Sequence, residues 1–266
     1  MNTAVLLLTG WLAMAMLMAV VWFVQRRTGD AGIVDVAWTF GVGGLGATYA
    51  ILGGNAPWER RLLVAVLIAI WALRLGSYVF WRVLTQPEDG RYVDLKRQWG
   101  PQAQARLFRF FQYQSVGAVL FAIPMLLAAR NTQAVGWFDG LGVGIWLASI
   151  VGEGIADQQL AAFRARPSNR GRVCRDGLWR YSRHPNYFFE WLHWWAYVAF
   201  ALWAPAGWVT ILWPMMMLYF ILRVTGIPPT EAQALRSRGE AYREYQRSTS
   251  PFFPWFPRES DGSFTQ

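Results

Sequence analysis

Apolar stretches long enough to cross about 30 Å of hydrocarbon recur along this chain, and they leave few folds open to it. They fall at 3–25, 31–53, 61–83, 112–129, 137–158, 186–204 and 206–224. In lipid the backbone must satisfy its own hydrogen bonds, so runs of this length form helices. The expected fold is an all-α integral membrane protein with seven transmembrane helices. Composition agrees: 55% of the 266 residues are hydrophobic and 15% charged, against about 25% charged in soluble domains. The 17 Trp and 17 Phe suit a bilayer protein, whose aromatics gather at the interfaces. The first run lacks a basic start and ends in Gln25-Arg26-Arg27, so it reads as an anchor and not as a signal peptide. One domain is expected over 1–257, with a disordered tail over 258–266.

Charge sets the expected orientation. With the N-terminus outside, the inward-facing segments and the adjoining span ends hold 21 of the 25 basic residues; the others are Arg60, Arg61, Arg130 and Arg74. That is a positive-inside pattern, and it puts the C-terminus in the cytoplasm. Topology therefore accounts for the net charge of +9. Nucleic acid is not expected as a partner, because the densest basic segment lies between two apolar runs. Of the 25 basic residues all but Lys96 are Arg, the side chain that grips phosphate bidentately. A single cysteine, Cys174, excludes an internal disulfide and a cysteine-based zinc site. No metal site is expected.

Gly41-Val-Gly-Gly-Leu-Gly46 matches G-x-G-x-x-G, yet it lies inside an apolar run and not at a strand-to-helix turn. Close helix packing is the expectation there and at Gly140-Leu-Gly-Val-Gly144.

Polar residues within apolar helices are costly and point to function. Asp35 and Trp38 share a helix face, and Trp71, Arg74 and Tyr78 form an i, i+3, i+7 stripe. Arg74 lies near mid-span and needs either a polar cavity or an ion pair, for which Asp35 is the available partner. Pro87-Glu-Asp-Gly-Arg-Tyr-Val-Asp94 reads as a polar turn whose arginine can reach phosphate. Glu153, Asp157 and Arg164 fall on one face at the end of the fifth run, either as hydrogen-bond acceptors for a ligand or as neutralising partners of nearby arginines. Seven arginines follow between 164 and 183, interleaved with Trp179 and Tyr181. Arginines for phosphate and aromatics for base stacking make a nucleotide-binding combination. Pro185 fits the first turn of a helix, whose N-terminus beside these arginines favours an anion. Asn186 and Glu190, four apart, share one face of that helix and suit a carboxamide.

The stretch Gly177-Leu-Trp-Arg-Tyr-Ser-Arg-His-Pro-Asn-Tyr-Phe-Phe-Glu190, the Glu231…Tyr242…Tyr245 tail and the closing Phe256-Pro257 resemble the steroid 5α-reductase family. The similarity is to its bacterial branch, long known only as a domain of unknown function. Glu88-Asp-Gly-Arg-Tyr92 and Asp35-Val-Ala-Trp38 fit that branch too. The resemblance implies a seven-span fold in a bacterial inner membrane, a cofactor site facing the cytoplasm, NADPH as cofactor, and reduction of the C=C bond of a 3-oxo-Δ4 steroid or another enone lipid. It implies that Asn186 and Glu190 hold the nicotinamide carboxamide. Arg74, Arg91, Tyr92, Asp157, Arg164, Arg172, Tyr181, Arg183, His184, Glu231 and Tyr242 complete the implied cofactor contacts. Trp38 and Trp71 would line the substrate. The Gln-Glu pair of animal members is missing, and either Asp35 or Tyr78 is left to donate the proton. A monomer working on a lipophilic substrate among membrane lipids is expected.

A second enzyme class stays open. Isoprenylcysteine and phospholipid methyltransferases share an Arg-His-Pro-x-Tyr element and a similar Glu…Tyr tail, and bind S-adenosylmethionine. That ligand has no phosphate for the arginines. A non-enzymatic membrane scaffold would leave Arg74 and Glu190 unexplained.

Overall fold

A computed structural model describes residues 2–258. The expected tail, from residue 259 on, lies outside them. Among the described residues there is no strand, and ten α-helices carry the chain. They are α1 (Thr3–Thr28), α2 (Ile33–Leu52), α3 (Trp58–Thr85), α4 (Gly90–Trp99) and α5 (Ala103–Ala128), then α6 (Trp137–Ala165), α7 (Pro185–Ala201), α8 (Leu212–Tyr219), α9 (Ile227–Arg238) and α10 (Glu240–Ser248). Among the described residues, five segments are long and apolar enough to cross a membrane: Thr3–Thr28, Trp58–Thr85, Gly90–Ala128, Trp137–Ala165 and Gly207–Arg238. Helices also stand at the other two expected places. There, α2 is diluted by Asp35 and four glycines, and the 17 residues of α7 extend only about 26 Å.

The chain divides into two compact units, residues 1–142 with 197–211 and residues 143–196 with 212–266. In the first, α2 packs on α3 and α5, and α1 packs on α5 and α2. Small residues set the spacing. A Cβ placed on Gly43 would stand 2.2 Å from the Cβ of Ala72, and one on Gly10 would stand 2.1 Å from the Tyr49 hydroxyl oxygen. The glycine-rich run of α2 is thus a helix-packing surface, as its position inside an apolar run predicts. The second such run behaves differently: a Cβ at Gly140 or Gly144 would meet nothing within 4 Å.

One end of this unit is fastened by a buried ion pair. Arg60, 1% exposed, donates to both carboxylate oxygens of Asp139 at 2.7 and 2.8 Å. Its remaining N–H groups reach the carbonyls of Asn131, Gln133 and Ala134. Every donor of the guanidinium fork is matched, which is the condition under which a buried charge is tolerable.

In the second unit, α7 opens on Pro185 as the sequence predicts. The last apolar run is not one regular helix. It is a 3₁₀ turn over Gly207–Ile211, the short α8, and a π turn over Phe220–Val224. Helices α9 and α10 meet at Gly239, whose φ of +54° lies in the left-handed region that favours glycine.

Candidate functional site

The first unit brings Asp35, Arg91 and Tyr92 together. The Tyr92 hydroxyl donates to Asp35 Oδ1 at 2.7 Å, and Arg91 Nη2 reaches Asp35 Oδ2 at 3.2 Å. Asp89 organises the approach. It caps α4 by accepting from the Arg91 amide at 3.0 Å, and it also binds Arg91 Nε and Nη2 at 3.1 Å each. Burial pushes the Asp89 carboxyl up, but the Arg91 hydrogen bonds and charge, with Arg82 behind them, outweigh burial and hold it below the usual range. The segment is pinned to the α1–α2 turn as well. Glu88 accepts from the Ala31 amide at 2.7 Å and pairs with Lys96 at 2.5 Å. The expected polar turn at 87–94 is therefore the start of a capped helix. Asp35 finds a cation in Arg91. Asp35 thus accepts from two donors.

On α3 the stripe is present. Trp71 is fully buried, Arg74 and Tyr78 are half-buried, and the Tyr78 ring stacks on Trp81 at 6.4 Å. Trp38 meets Phe121 edge-on at 5.5 Å.

The second unit holds the motif that organises the sequence. Trp179 donates its indole N–H to the Ala156 carbonyl at 2.9 Å, and Gln159 accepts from the Leu178 amide at 2.9 Å, so the turn before α7 is tied to α6. Arg183 and His184 then converge on Glu231 of α9. Arg183 Nε donates to Glu231 Oε1 at 2.7 Å, and His184 Nε2 lies 3.2 Å from the same oxygen. Gln246 donates to Oε2 at 2.7 Å, and the Tyr242 hydroxyl donates to Oε1 at 3.4 Å. Arg183 also reaches the carbonyls of Gln246 and Thr249 at 3.0 and 2.5 Å. His184 stacks on Tyr187 at 5.2 Å. Burial lowers the His184 pKa, and the Arg183 charge adds to this; the hydrogen bond and charge of Glu231 oppose it without reversing it. His184 is then neutral, and its Nε2–H is the donor to Glu231. Burial, followed by the Glu231 charge, raises the Tyr242 pKa.

Four of the expected cofactor contacts, Arg183, His184, Glu231 and Tyr242, thus form one internal network that locks the motif onto α9 and α10. Sequence reasoning missed Gln246, the fifth member. Its signal was present: Tyr242, Tyr245 and Gln246 follow helical spacing on one face of α10. It also missed Ser182, whose buried hydroxyl donates to the Phe252 carbonyl at 2.8 Å.

The other expected contacts lie around the entry to α7. Asn186, the second residue of the helix, donates from its amide to Asp157 Oδ1 of α6 at 3.3 Å, and its own Oδ1 accepts from the Tyr187 amide. Asp157 is 8% exposed. Glu190 lies one turn further along α7 and is half-buried. Arg164, in the last turn of α6, and Arg166, Arg170, Arg172 and Arg180 beyond it, are exposed, as is Tyr181. Cys174 is buried, and burial raises its thiol pKa. Among the described residues no cluster of His, Cys, Asp and Glu could hold a metal ion.

A helical bundle of membrane-spanning type, carrying an Asn–Asp pair at a helix entry beside exposed arginines, is the class of protein that this geometry defines. The profile of the family described as "Protein of unknown function (DUF1295)" matches residues 21–249, and the chain belongs to that family. It is similar to the uncharacterized protein C594.04c of Schizosaccharomyces pombe, with 28% identity over 88% of this chain and 76% of that one. No solved structure matches.

Proposed function

We propose that the protein is an integral membrane reductase that uses NADPH to saturate the C=C bond of an enone lipid, with a 3-oxo-Δ4 steroid as the substrate type. The observation that carries the reading is the Asn186–Asp157 pair at the entry of α7. A side-chain amide and a carboxylate, side by side at a helix N-terminus, match the donor and acceptor pattern of a nicotinamide carboxamide. Glu190, one turn on, adds a second acceptor on the same helix face. The exposed Arg166, Arg170 and Arg172 fit a pyrophosphate and a 2′-phosphate, since guanidinium pairs with phosphate bidentately. The residues present therefore fit the cofactor.

NADPH, when bound, supplies a hydride for the β-carbon of the enone. The chain's own contribution is orientation: Asn186 and Asp157 fix the carboxamide, and the arginines hold the phosphates. The Arg183–Glu231–His184–Tyr242–Gln246 network is a positioning device, which sets the loop that presents Asn186. A proton for the α-carbon must come from an O–H or N–H donor; Asp35 already accepts from Arg91 and Tyr92, and Tyr78 is the other residue proposed for that role. Seven crossings with the N-terminus outside and the arginine-rich loops in the cytoplasm complete the reading, which the positive-inside pattern supports.

Thermal unfolding of the purified protein with NADPH, NADH or S-adenosylmethionine tests it. NADPH at 100 times its Kd adds about 2.7 kcal/mol of stability, and NADH, lacking the 2′-phosphate, adds less at the same concentration. Asn186→Ala and Arg170→Gln/Arg172→Gln weaken the NADPH response. Stabilisation by S-adenosylmethionine and none by NADPH would instead favour a methyltransferase.

A further inference from the structure

The closing segment of the chain is a strap, and its shape serves no part of the reductase reading. It is held at four points: the Arg183 amide donates to the Ser250 carbonyl at 2.9 Å, the Trp255 amide to the Tyr181 carbonyl at 2.9 Å, the Arg258 amide to the Ser248 carbonyl at 2.8 Å, and the Ser182 hydroxyl to the Phe252 carbonyl. Phe252 is buried, 2% exposed, against Phe188 and Trp191 of α7 and Ile221. The next aromatic side chains are far more exposed. Phe253, Trp255 and Phe256 are 50%, 72% and 76% exposed. A frayed tail would expose aromatics for want of any partner; here the backbone is fixed and the exposure is built in.

Beside these rings lies a cavity of about 360 Å³. Arg247 and Arg258 line it with exposed guanidinium groups, together with Ser248 and Ser250. Arg183 lines it as well but is committed to Glu231. Among the described lining residues there is no carboxylate. Arg247 does pair with Glu240 at 2.9 Å, but both side chains are about two-thirds exposed, so the pair holds Arg247 only weakly.

The depth of this patch follows from its contacts. Phe253 meets Phe188 and Trp191 edge-on at 6.1 and 5.6 Å, and both partners lie in the first two turns of α7 after Pro185. The aromatics thus stand level with the end of an apolar helix, where a bilayer has its headgroups. Exposed Trp and Phe beside exposed arginines at that level complement an anionic phospholipid: rings among the upper acyl chains, guanidinium groups on the phosphate.

We propose that this strap is a binding site for the phosphate headgroup of an anionic membrane lipid, with Arg247 and Arg258 as its cations and Phe253, Trp255 and Phe256 as its apolar rim. The site is separate from the arginines between 164 and 172 and stands whether or not NADPH binds there.

Native mass spectrometry of the full chain in neutral detergent tests it, with phosphatidylglycerol and phosphatidylcholine as probes. The wild type retains phosphatidylglycerol in preference to phosphatidylcholine. Arg247→Gln/Arg258→Gln weakens phosphatidylglycerol binding by roughly tenfold or more, as expected for the loss of two cations near an anionic headgroup. The Lys pair at the same positions restores it, and Trp255→Ala/Phe256→Ala weakens both lipids. Arg97→Gln, an exposed arginine on α4, leaves binding unchanged and controls for general charge loss. Equal retention of the two lipids by the wild type, or undiminished phosphatidylglycerol binding by the Gln pair, would overturn the proposal. Displacement of the lipid by millimolar inorganic phosphate or NADPH would also overturn it, because the site would then take soluble phosphates.

Discussion

Replacing Glu231 by Ala removes the acceptor on which four side chains converge. Arg183 is 8% exposed, His184 3% and Tyr242 6%, so water does not freely replace the lost carboxylate. Removing one partner of a buried ion pair costs about 3–5 kcal/mol. Arg183 keeps the carbonyls of Gln246 and Thr249, which places the loss near the lower end, about 3 kcal/mol. For a chain of this size that lowers Tm by about 6–12 °C, measured in detergent by thermal unfolding without ligand. Glu231→Gln keeps the shape and one acceptor oxygen but loses charge assistance, so its loss is about 1–2 kcal/mol. Pairing Glu231→Ala with Arg183→Met removes the stranded charge, and the double variant recovers part of the loss instead of adding a second one. Equal stability of wild type and Glu231→Ala, or simple additivity in the double variant, would refute the network as the lock on this motif.

Three further outcomes follow from the same geometry. His184 has its pKa lowered in the fold, so the unfolded chain takes up its proton first as pH falls. Its contribution is intact above the ordinary value near 6.5 and is lost progressively below it. Tm measured from pH 7.5 to 5 should therefore fall more steeply in wild type than in His184→Gln, and parallel curves would refute the assignment. Arg60→Met strands the Asp139 carboxylate and three carbonyls and should cost about 3–5 kcal/mol, a loss that Arg61→Met does not reproduce. Gly43→Val forces side-chain atoms into the space held by Ala72, and overpacking of this kind costs about 1–3 kcal/mol; the same change at Gly44, where a Cβ would meet nothing within 4 Å, should leave Tm within about 2 °C.

The places of the main helices could be read from hydropathy because a long apolar run has one stable form in lipid. Pro185 at the first turn of α7 followed from its fixed φ and missing N–H. What escaped was structure whose cause is not local. Helix α4 is short and polar, and the Asp89 cap that starts it is seen only with Arg91 and Asp35 in place. The last apolar run looks continuous, yet a Cβ on Gly207 would stand 1.8 Å from the Ala201 carbonyl oxygen, a contact that no window of hydropathy contains. At the site, the motif 183–186 and the tail residues Glu231 and Tyr242 stood out singly. That Arg183 and His184 turn to Glu231, across an interval of 47–48 residues, depends on how α9 returns to the loop. Conversely, Asn186 and Asp157 were read as separate contacts, and their pairing makes them one element.

The most direct test of the account is turnover by the purified protein in liposomes supplied with NADPH and a 3-oxo-Δ4 steroid. The account predicts loss of nicotinamide absorbance that depends on the steroid, a product heavier by two hydrogens, and a drop of at least tenfold in kcat/KM for Asn186→Ala. Absence of steroid-dependent NADPH consumption, in protein that NADPH demonstrably stabilises, would contradict the proposed substrate type. Absence of both binding and turnover would contradict the reductase itself.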